Sequence, residues 1–372
     1  MEFTKYKLGD LMEVTRGMSL CGKHYATEGN LMRLTLGNFD YHNNCFKDDK
    51  SKDNLYFTGS VKKDFILNKD DIITPLTEQA IGLLGSTAKI PFSGKYIQSQ
   101  DVALIKCNEK LYPDFAFYLI PSKMVRFQLS AAAQQTKIRH TSPDKIKDCT
   151  VWVPEYSVQK KIGDLLTTID KKISINREIN RNLEEQMKLL YEYLMSKINS
   201  QHIKGKYLLA KDLTTVITGK KDASFSTPNG QYKFFTCSNE PLQCDKYKFD
   251  QSSILIAGNG DFNVKHYTGK FNAYQRTYIL SPAKKYYSIL YLASLYRINS
   301  FKSKSTGSIV KFITKEEIEN IPIFIPENTD LLFILNKILN LKEKYSIENE
   351  SLIKIRDFLL PMLMNGQATI SD

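Results

Sequence analysis

The sequence predicts an α+β protein. Two related, β-rich α/β units are separated by two long helices, the helices pack as an antiparallel coiled coil, and the whole is pseudo-two-fold. Two internal repeats and a pair of heptad-like stretches predict it. Tyr6–Gly17 (YKLGDLMEVTRG) is echoed by Tyr207–Gly219 (YLLAKDLTTVITG), where Asp10, Leu11, Val14 and Gly17 return 202 positions later as Asp212, Leu213, Val216 and Gly219. Gln135–Pro154 then aligns with Gly307–Pro326 at a shift of 172, setting Ile138, Ile146 and Val151–Pro154 against Val310, Ile318 and Ile323–Pro326. A period this long means duplicated domains rather than a solenoid. At 372 residues the chain has room for two or three domains, each with its own core.

Taken in order, residues 1–155 form the first unit. Asp71–Thr74, Val102–Lys106 and Val151–Val153 read as its strands, and Pro113–Leu129 as a helical interlude. Residues 156–198 form the first long helix. Val158–Lys197 has no proline and one glycine, and at 1.5 Å per residue it extends about 60 Å. Ile162, Ile169, Asn176, Leu183 and Leu190 recur every seven residues, with Leu166, Ile173, Asn180, Met187 and Leu194 beside them. Asn176 stands where an aliphatic residue is expected; a polar residue there either sets register and partner choice or marks a solvated turn. Residues 199–326 repeat the first unit, with strands at Ser253–Ala257, Thr277–Leu280 and Ile323–Ile325 and a helix over Tyr286–Ser300. Residues 327–372 repeat the helix, with Leu331, Ile338, Tyr345, Leu352 and Leu359 at the heptad interval. Along it the shift between copies falls from 172 to 169, so the second helix lacks three residues, close to one turn.

The net charge of +12 is unevenly spread: +3 over 1–155, +2 over 156–198, +9 over 199–326 and −2 over 327–372. A basic globular face attracts polyanions, and nucleic acid is the commonest of these. Polar segments fall at corresponding places in the two copies. After the central strand come Thr77, Glu78 and Gln79 in one, and Asn259 and Asp261 in the other. Before the last helical step come Gln134, Gln135, Lys137 and Arg139, and then Ser305, Thr306, Ser308 and Lys311. With Arg276, these are the candidate DNA-binding residues. Amides and guanidinium groups read base edges, while Lys, Ser and Thr grip phosphates. The aromatics of the helical interludes are read as core rather than as a base-stacking platform.

No catalytic pattern survives scrutiny. Gly17–His24 approaches the phosphate-binding form G-x-x-x-x-G-K-S/T, but His24 replaces the hydroxyl and no buried strand leads in. Asp101 with Gln135 and Lys137 makes a poor nuclease set. The Asn-Pro-Pro-aromatic motif of amino-methyltransferases does not occur. The six cysteines show no C-x-x-C spacing and the five histidines do not gather near them, so neither a metal nor a disulfide framework is expected. The polar opening MEFTKYKLGD lacks an apolar signal core, and no run approaches ~18 apolar residues, so a cytoplasmic protein is expected.

Two variable β-rich units, each followed by a repeated long helix, with basic charge and no catalytic motif, resemble the specificity (S) subunits of type I restriction–modification enzymes. The resemblance covers nearly the whole chain. It rests on the order and duplication of weak motifs: Asp10–Gly17 and Asp212–Gly219, the strands closing at Pro154 and Pro326, Ile169-Asp170, Asn180–Leu183 and Asn349–Leu352 in the helices, and Leu359–Met364 at the end. The first helix departs from this ending with Tyr191-Glu192 where the second has Leu360-Pro361. The resemblance implies two target recognition domains, each reading half of an asymmetric bipartite DNA site. It implies spacer helices that dock methyltransferase (M) subunits, two of them, with restriction (R) subunits joining. It implies no catalysis and no cofactor on this chain, since S-adenosylmethionine, ATP and Mg would sit on partner subunits. The rival reading is a coiled-coil scaffold with basic heads that bind nucleic acid or protein.

Overall fold

The computed structural model describes residues 2–49, 51–132, 139–200, 202–260, 262–303 and 312–370. The chain forms two compact units, Met1–Ile173 with Ser351–Asp372, and Ser174–Glu350. The division therefore runs through both long helices, so that each unit is a globular head plus its own share of each helix.

In the first unit the central antiparallel sheet is ordered Ala88–Lys89, Ile72–Pro75, Val102–Cys107, Met12–Arg16. A second sheet of two-residue strands carries Tyr25–Ala26, Met32–Arg33, Tyr56–Phe57 and Tyr96–Ile97. Phe3–Lys7 pairs with Thr150–Pro154. The main core gathers Leu8, Leu11, Val14, Ile105, Phe115, Val151, Ile162, Leu166 and Leu363, and a smaller one lies under the second sheet around Leu34, Phe39 and Tyr96.

The second unit holds one six-stranded sheet, ordered Ile217–Thr218, Thr277–Leu280, Phe249–Ala257, Val264–Ala273, Tyr232–Phe235, Leu242–Cys244. Gly205–Leu209 pairs with Pro322–Pro326 in the register that Phe3–Lys7 keeps with Thr150–Pro154. The helix Lys284–Ser303 packs beneath this sheet, and Ile254, Ile256, Leu290, Leu292 and Ile323 form the core.

The repeated D-L-x-x-V-x-x-G motif has a mechanical explanation. The Asp10 carboxylate accepts the Lys7 backbone N–H at 3.0 Å and that of Asp212 accepts the Leu209 N–H at 2.8 Å, each capping a short helical turn. The closing glycine then passes close under a crossing chain. A Cβ on Gly17 would lie 2.3 Å from the Ser99 carbonyl oxygen, and one on Gly219 would lie 2.2 Å from that of Ala273. In both copies the glycine N–H donates to the strand beside it, Gly17 to Val102 O and Gly219 to Thr277 O.

Three local expectations change. Pro113–Leu129 is two helices, Pro113–Leu119 and Lys123–Ala132, because Pro121 has no N–H to continue the first and Ser122 starts the second. The strand at Ser253–Ala257 begins four residues earlier and pairs along its length with Val264–Ala273, whose polar, partly exposed residues gave no apolar signal. The two heptad rows are unequally buried. Of the ten residues expected to pack the helices, only Ile162 and Asn176 are fully buried. Ile169, Leu183 and Leu190 are half-buried, as are Leu331, Ile338, Tyr345, Leu352 and Leu359. On Tyr156–Asn199 the other deeply buried apolar side chains are those of the companion heptad row, Leu166, Ile173, Met187 and Leu194, whereas on Asp330–Met364 they are Leu332, Leu335, Leu339 and Leu363. Within each unit the helical segments pack against the globular head as well as against each other, so the buried stripe follows both neighbours rather than a two-helix seam.

Within the second unit the helices run antiparallel on polar contacts. Asn176 Nδ2 donates to Glu348 Oε2 at 2.9 Å and to Asn349 Oδ1 at 3.0 Å, and Asn180 Nδ2 donates to Ser346 Oγ at 3.1 Å. Glu184 follows with Lys342 at 3.0 Å. Asn176 is fully buried and bonded across to the other helix, so it does not mark a solvated turn. In the first unit Asp170 meets Arg356 at 2.9 Å and accepts the Tyr118 hydroxyl at 2.6 Å.

His266, on Val264–Ala273, is half-buried with its ring edge against Tyr291. Burial, reinforced by nearby Lys342 and opposed by Glu184, pulls its imidazole down to about 4. Between the ordinary histidine value and about 4 the unfolded chain therefore binds a proton that the folded chain refuses. Stability should fall as pH drops through that window, by about 3 kcal/mol at its acid end. Urea unfolding at pH 7 and at pH 4.5 measures the loss, and His266→Phe should remove that share of it. An unchanged pH dependence in the variant would place the titration elsewhere.

Candidate nucleic-acid interface

In the first unit the two polar segments are brought together by pairing of Thr77–Glu78 with Arg139–His140. Thr77 and Glu78 turn inward and are buried. The Thr77 hydroxyl lies 3.3 Å from both Asp101 Oδ1 and His140 Nδ1. Glu78 Oε1 accepts the backbone N–H groups of Gly82 and Leu84 at 2.9 and 3.3 Å, and its other oxygen lies 3.5 Å from Arg139 Nη1. Both side chains are engaged within the head. Arg139 is partly exposed and also donates to Ser130 Oγ at 3.1 Å. Gln79 is exposed and joins the wall of a polar cleft of about 210 Å³ with Arg33, Lys52, Ser99, Gln100 and Asp101. Arg33 is buried in that wall, its guanidinium 4.0 Å over the Tyr25 ring and bonded to Asn54. Sequence reading missed Arg33, Gln100 and Lys52, which lie far from the repeated segments and gave no signal of their own. Gln134, Gln135 and Lys137 lie outside the described residues.

In the second unit the matching place is organised around Gly258. Its N–H donates to Arg276 O and its carbonyl accepts the Ile313 N–H, both at 2.9 Å. The Tyr278 hydroxyl closes the group on Ile313 O at 2.8 Å. Arg276 is exposed, with its guanidinium 4.9 Å over the Phe312 ring. Asn259 is half-exposed on the adjoining turn. Lys265 Nζ donates to Ser238 O at 2.6 Å, and Asn263 Nδ2 to Cys237 O at 2.9 Å, tying the 236–240 turn to the same edge. Burial lowers the Lys265 ammonium from its ordinary value. Asp261, Ser305, Thr306, Ser308 and Lys311 lie outside the described residues.

Among the described residues no three His, Cys, Asp or Glu side chains gather to hold a metal ion, and no helix is long and apolar enough to cross a membrane. The aromatics of the helical interludes are mainly core: Phe115, Phe117, Tyr118, Tyr287 and Tyr291 are buried, whereas Phe127 is exposed.

The architecture is that of a duplicated two-headed chain, with matching strands, caps and glycine crossings in its two β-rich units. The family described as "Type I restriction modification DNA specificity domain" matches residues 1–185 and 206–355, one copy on each unit, and the chain belongs to that family. A curated relative, the type I restriction enzyme EcoDI specificity subunit of Escherichia coli, is 36% identical over 165 residues. That match covers 42% of this chain and 37% of the relative. The HindI specificity subunit of Haemophilus influenzae (strain ATCC 51907 / DSM 11121 / KW20 / Rd) is 27% identical over 100 residues, covering 26% of this chain and 22% of the relative. The aligned stretches thus span well under half of either relative. The fold is similar to that of the type I restriction-modification S subunit from M. genitalium, with TM-score 0.65 and 18% identity, over 100% of this chain and 97% of that one.

Proposed function

We propose that this chain is the DNA-reading subunit of a type I restriction–modification complex and catalyses nothing itself. Each head is assigned one half of an asymmetric bipartite target. The long helices serve as the spacer between half-sites and as the docking surface for two methyltransferase subunits, with restriction subunits joining them. S-adenosylmethionine, ATP and Mg belong to those partners, and the assembly works in the cytoplasm.

The observation that supports this reading most strongly is the duplication itself. The same caps and glycine crossings return in both heads, yet the polar groups that reach the surface differ, with exposed Gln79 and Gln100 and partly exposed Arg139 in one, and partly exposed Asn259 and exposed Arg276 in the other. Two similar scaffolds carrying different polar groups suit two different half-sites, since protein symmetry and half-site spacing are linked geometrically.

The test is genome-wide mapping of adenine methylation in a host without its own methylation, expressing the partner methyltransferase with and without this chain. A bipartite motif that appears only with this chain is the expected result. A soluble, verified complex that yields no motif would favour the scaffold reading.

A further inference from the structure

We propose that the loop Gln79–Gly85 reads a thymine in one half-site, with the Ile81 side chain packed on the thymine C5 methyl; this rests on the DNA-reading function assigned above. Ile81 is 86% exposed, the most exposed large apolar side chain among the described residues. An isoleucine in water contributes nothing to folding, and an ordinary surface loop leaves such a tip free to move. This one is clamped on both sides. The buried Glu78 carboxylate takes the Gly82 and Leu84 N–H groups, and Arg126 donates to the Gly82 carbonyl at 3.2 Å while its other nitrogen binds Asn44 Oδ1 at 3.1 Å. Leu83 and Leu84, immediately after, are buried. Gly82 and Gly85 adopt φ of 100° and 74°, values that turn the chain back and disfavour any side chain. The apolar tip is therefore held out rigidly, which lowers the conformational cost of burying it against a partner.

The chemistry beside it selects the partner. Gln79, two residues earlier, is exposed on the cleft wall with Gln100. An A·T pair presents to the major groove an adenine N6/N7 edge, which an amide reads, next to a thymine methyl, which an apolar side chain reads. A glutamine and an isoleucine on one rigid loop match that edge. The corresponding turn of the second unit is built differently. Gly260 has nothing within 4 Å of a Cβ position, and Phe262 is buried. Thymine-methyl readout is thus assigned to the first unit.

The experiment uses the full chain with its methyltransferase subunits on the mapped target, replacing each thymine in turn by deoxyuridine, which lacks only the methyl. One thymine, in one half-site, should lose about fourfold in affinity on replacement, the worth of one buried methyl-sized group. Ile81→Ala should bind the natural target more weakly and no longer distinguish thymine from deoxyuridine there. Ile81→Val should keep part of the discrimination, and preferences in the other half-site should not change, which also shows that the variants are folded. Retained discrimination in Ile81→Ala would overturn the assignment. So would a loss in that variant independent of sequence, the mark of a wedge between base steps. A wild-type target with no methyl-sensitive thymine would overturn it too, leaving the DNA-reading function intact. Absence of any methylation motif for the wild type would overturn both.

Discussion

Gly17→Ala should open the central sheet of the first unit, and Gly219→Ala the matching edge of the second, each at a cost of about 3 kcal/mol or more. The added methyl would lie 2.2–2.4 Å from backbone carbonyl oxygens: Ser99 and Gln98 over Gly17, Ala273 and Tyr274 over Gly219. Backbone has no rotamer with which to escape. The segment carrying the oxygen must move or the glycine must withdraw from it, and Gly17 N–H to Val102 O, or Gly219 N–H to Thr277 O, is weakened with it. Hydrogen exchange would localise the damage to one unit per variant. A cost under about 1 kcal/mol would show that the crossing strands separate freely, and would remove the reason for glycine at both positions.

Arg356→Ala should destabilise the first unit by about 2–3 kcal/mol. Arg356 is largely buried, its side chain 12% exposed against 28% for Asp170, and it bridges to Asp170 and Asp357 at 2.9 Å each. Burial pulls the guanidinium down, but the hydrogen bonds and charges of Asp170 and Asp357 outweigh it, so the net shift is upward. Without Arg356, the Asp170 carboxylate keeps the Tyr118 hydroxyl but loses its countercharge. Asp170→Asn on its own should cost less, because the amide keeps the volume and a hydrogen bond to Tyr118. Denaturant midpoints for both variants and the double mutant give the coupling directly. Additive effects would mean that the pair contributes no interaction of its own.

Much of the fold is legible in the order of residues. Repetition identified the two heads, and the absence of proline through Val158–Lys197 identified a helix that does run Tyr156–Asn199. The repeated Asp and Gly were visible as a motif, although its mechanics, a cap followed by a sub-van der Waals crossing, depend on Ser99 and Ala273, far away in the chain. Heptad counting found both rows of the first helix but not that the companion row of Leu166, Ile173, Met187 and Leu194 lies deeper. It assumes a single partner, and these helices each answer to a sheet and a helix together. Val264–Ala273 escaped notice because half of an exposed strand is polar by necessity, and Pro121 divided a helix that aromatic spacing had joined.

The candidate site was less legible, for a related reason. Thr77 and Glu78 have the composition of a contact loop, and composition does not record direction. Their side chains point inward to hold the loop that Ile81 and Gln79 present outward. Arg33, Lys52 and Gln100 reach the cleft from other strands and loops, through long-range pairings with no local signature. Periodicity, repetition and breaker residues are local properties of the chain, so element types, duplication and the family can be read from the order of residues alone. Which face of an element is covered, and which polar side chains converge, depends on contacts between residues distant in sequence, and those exist only once the chain has folded.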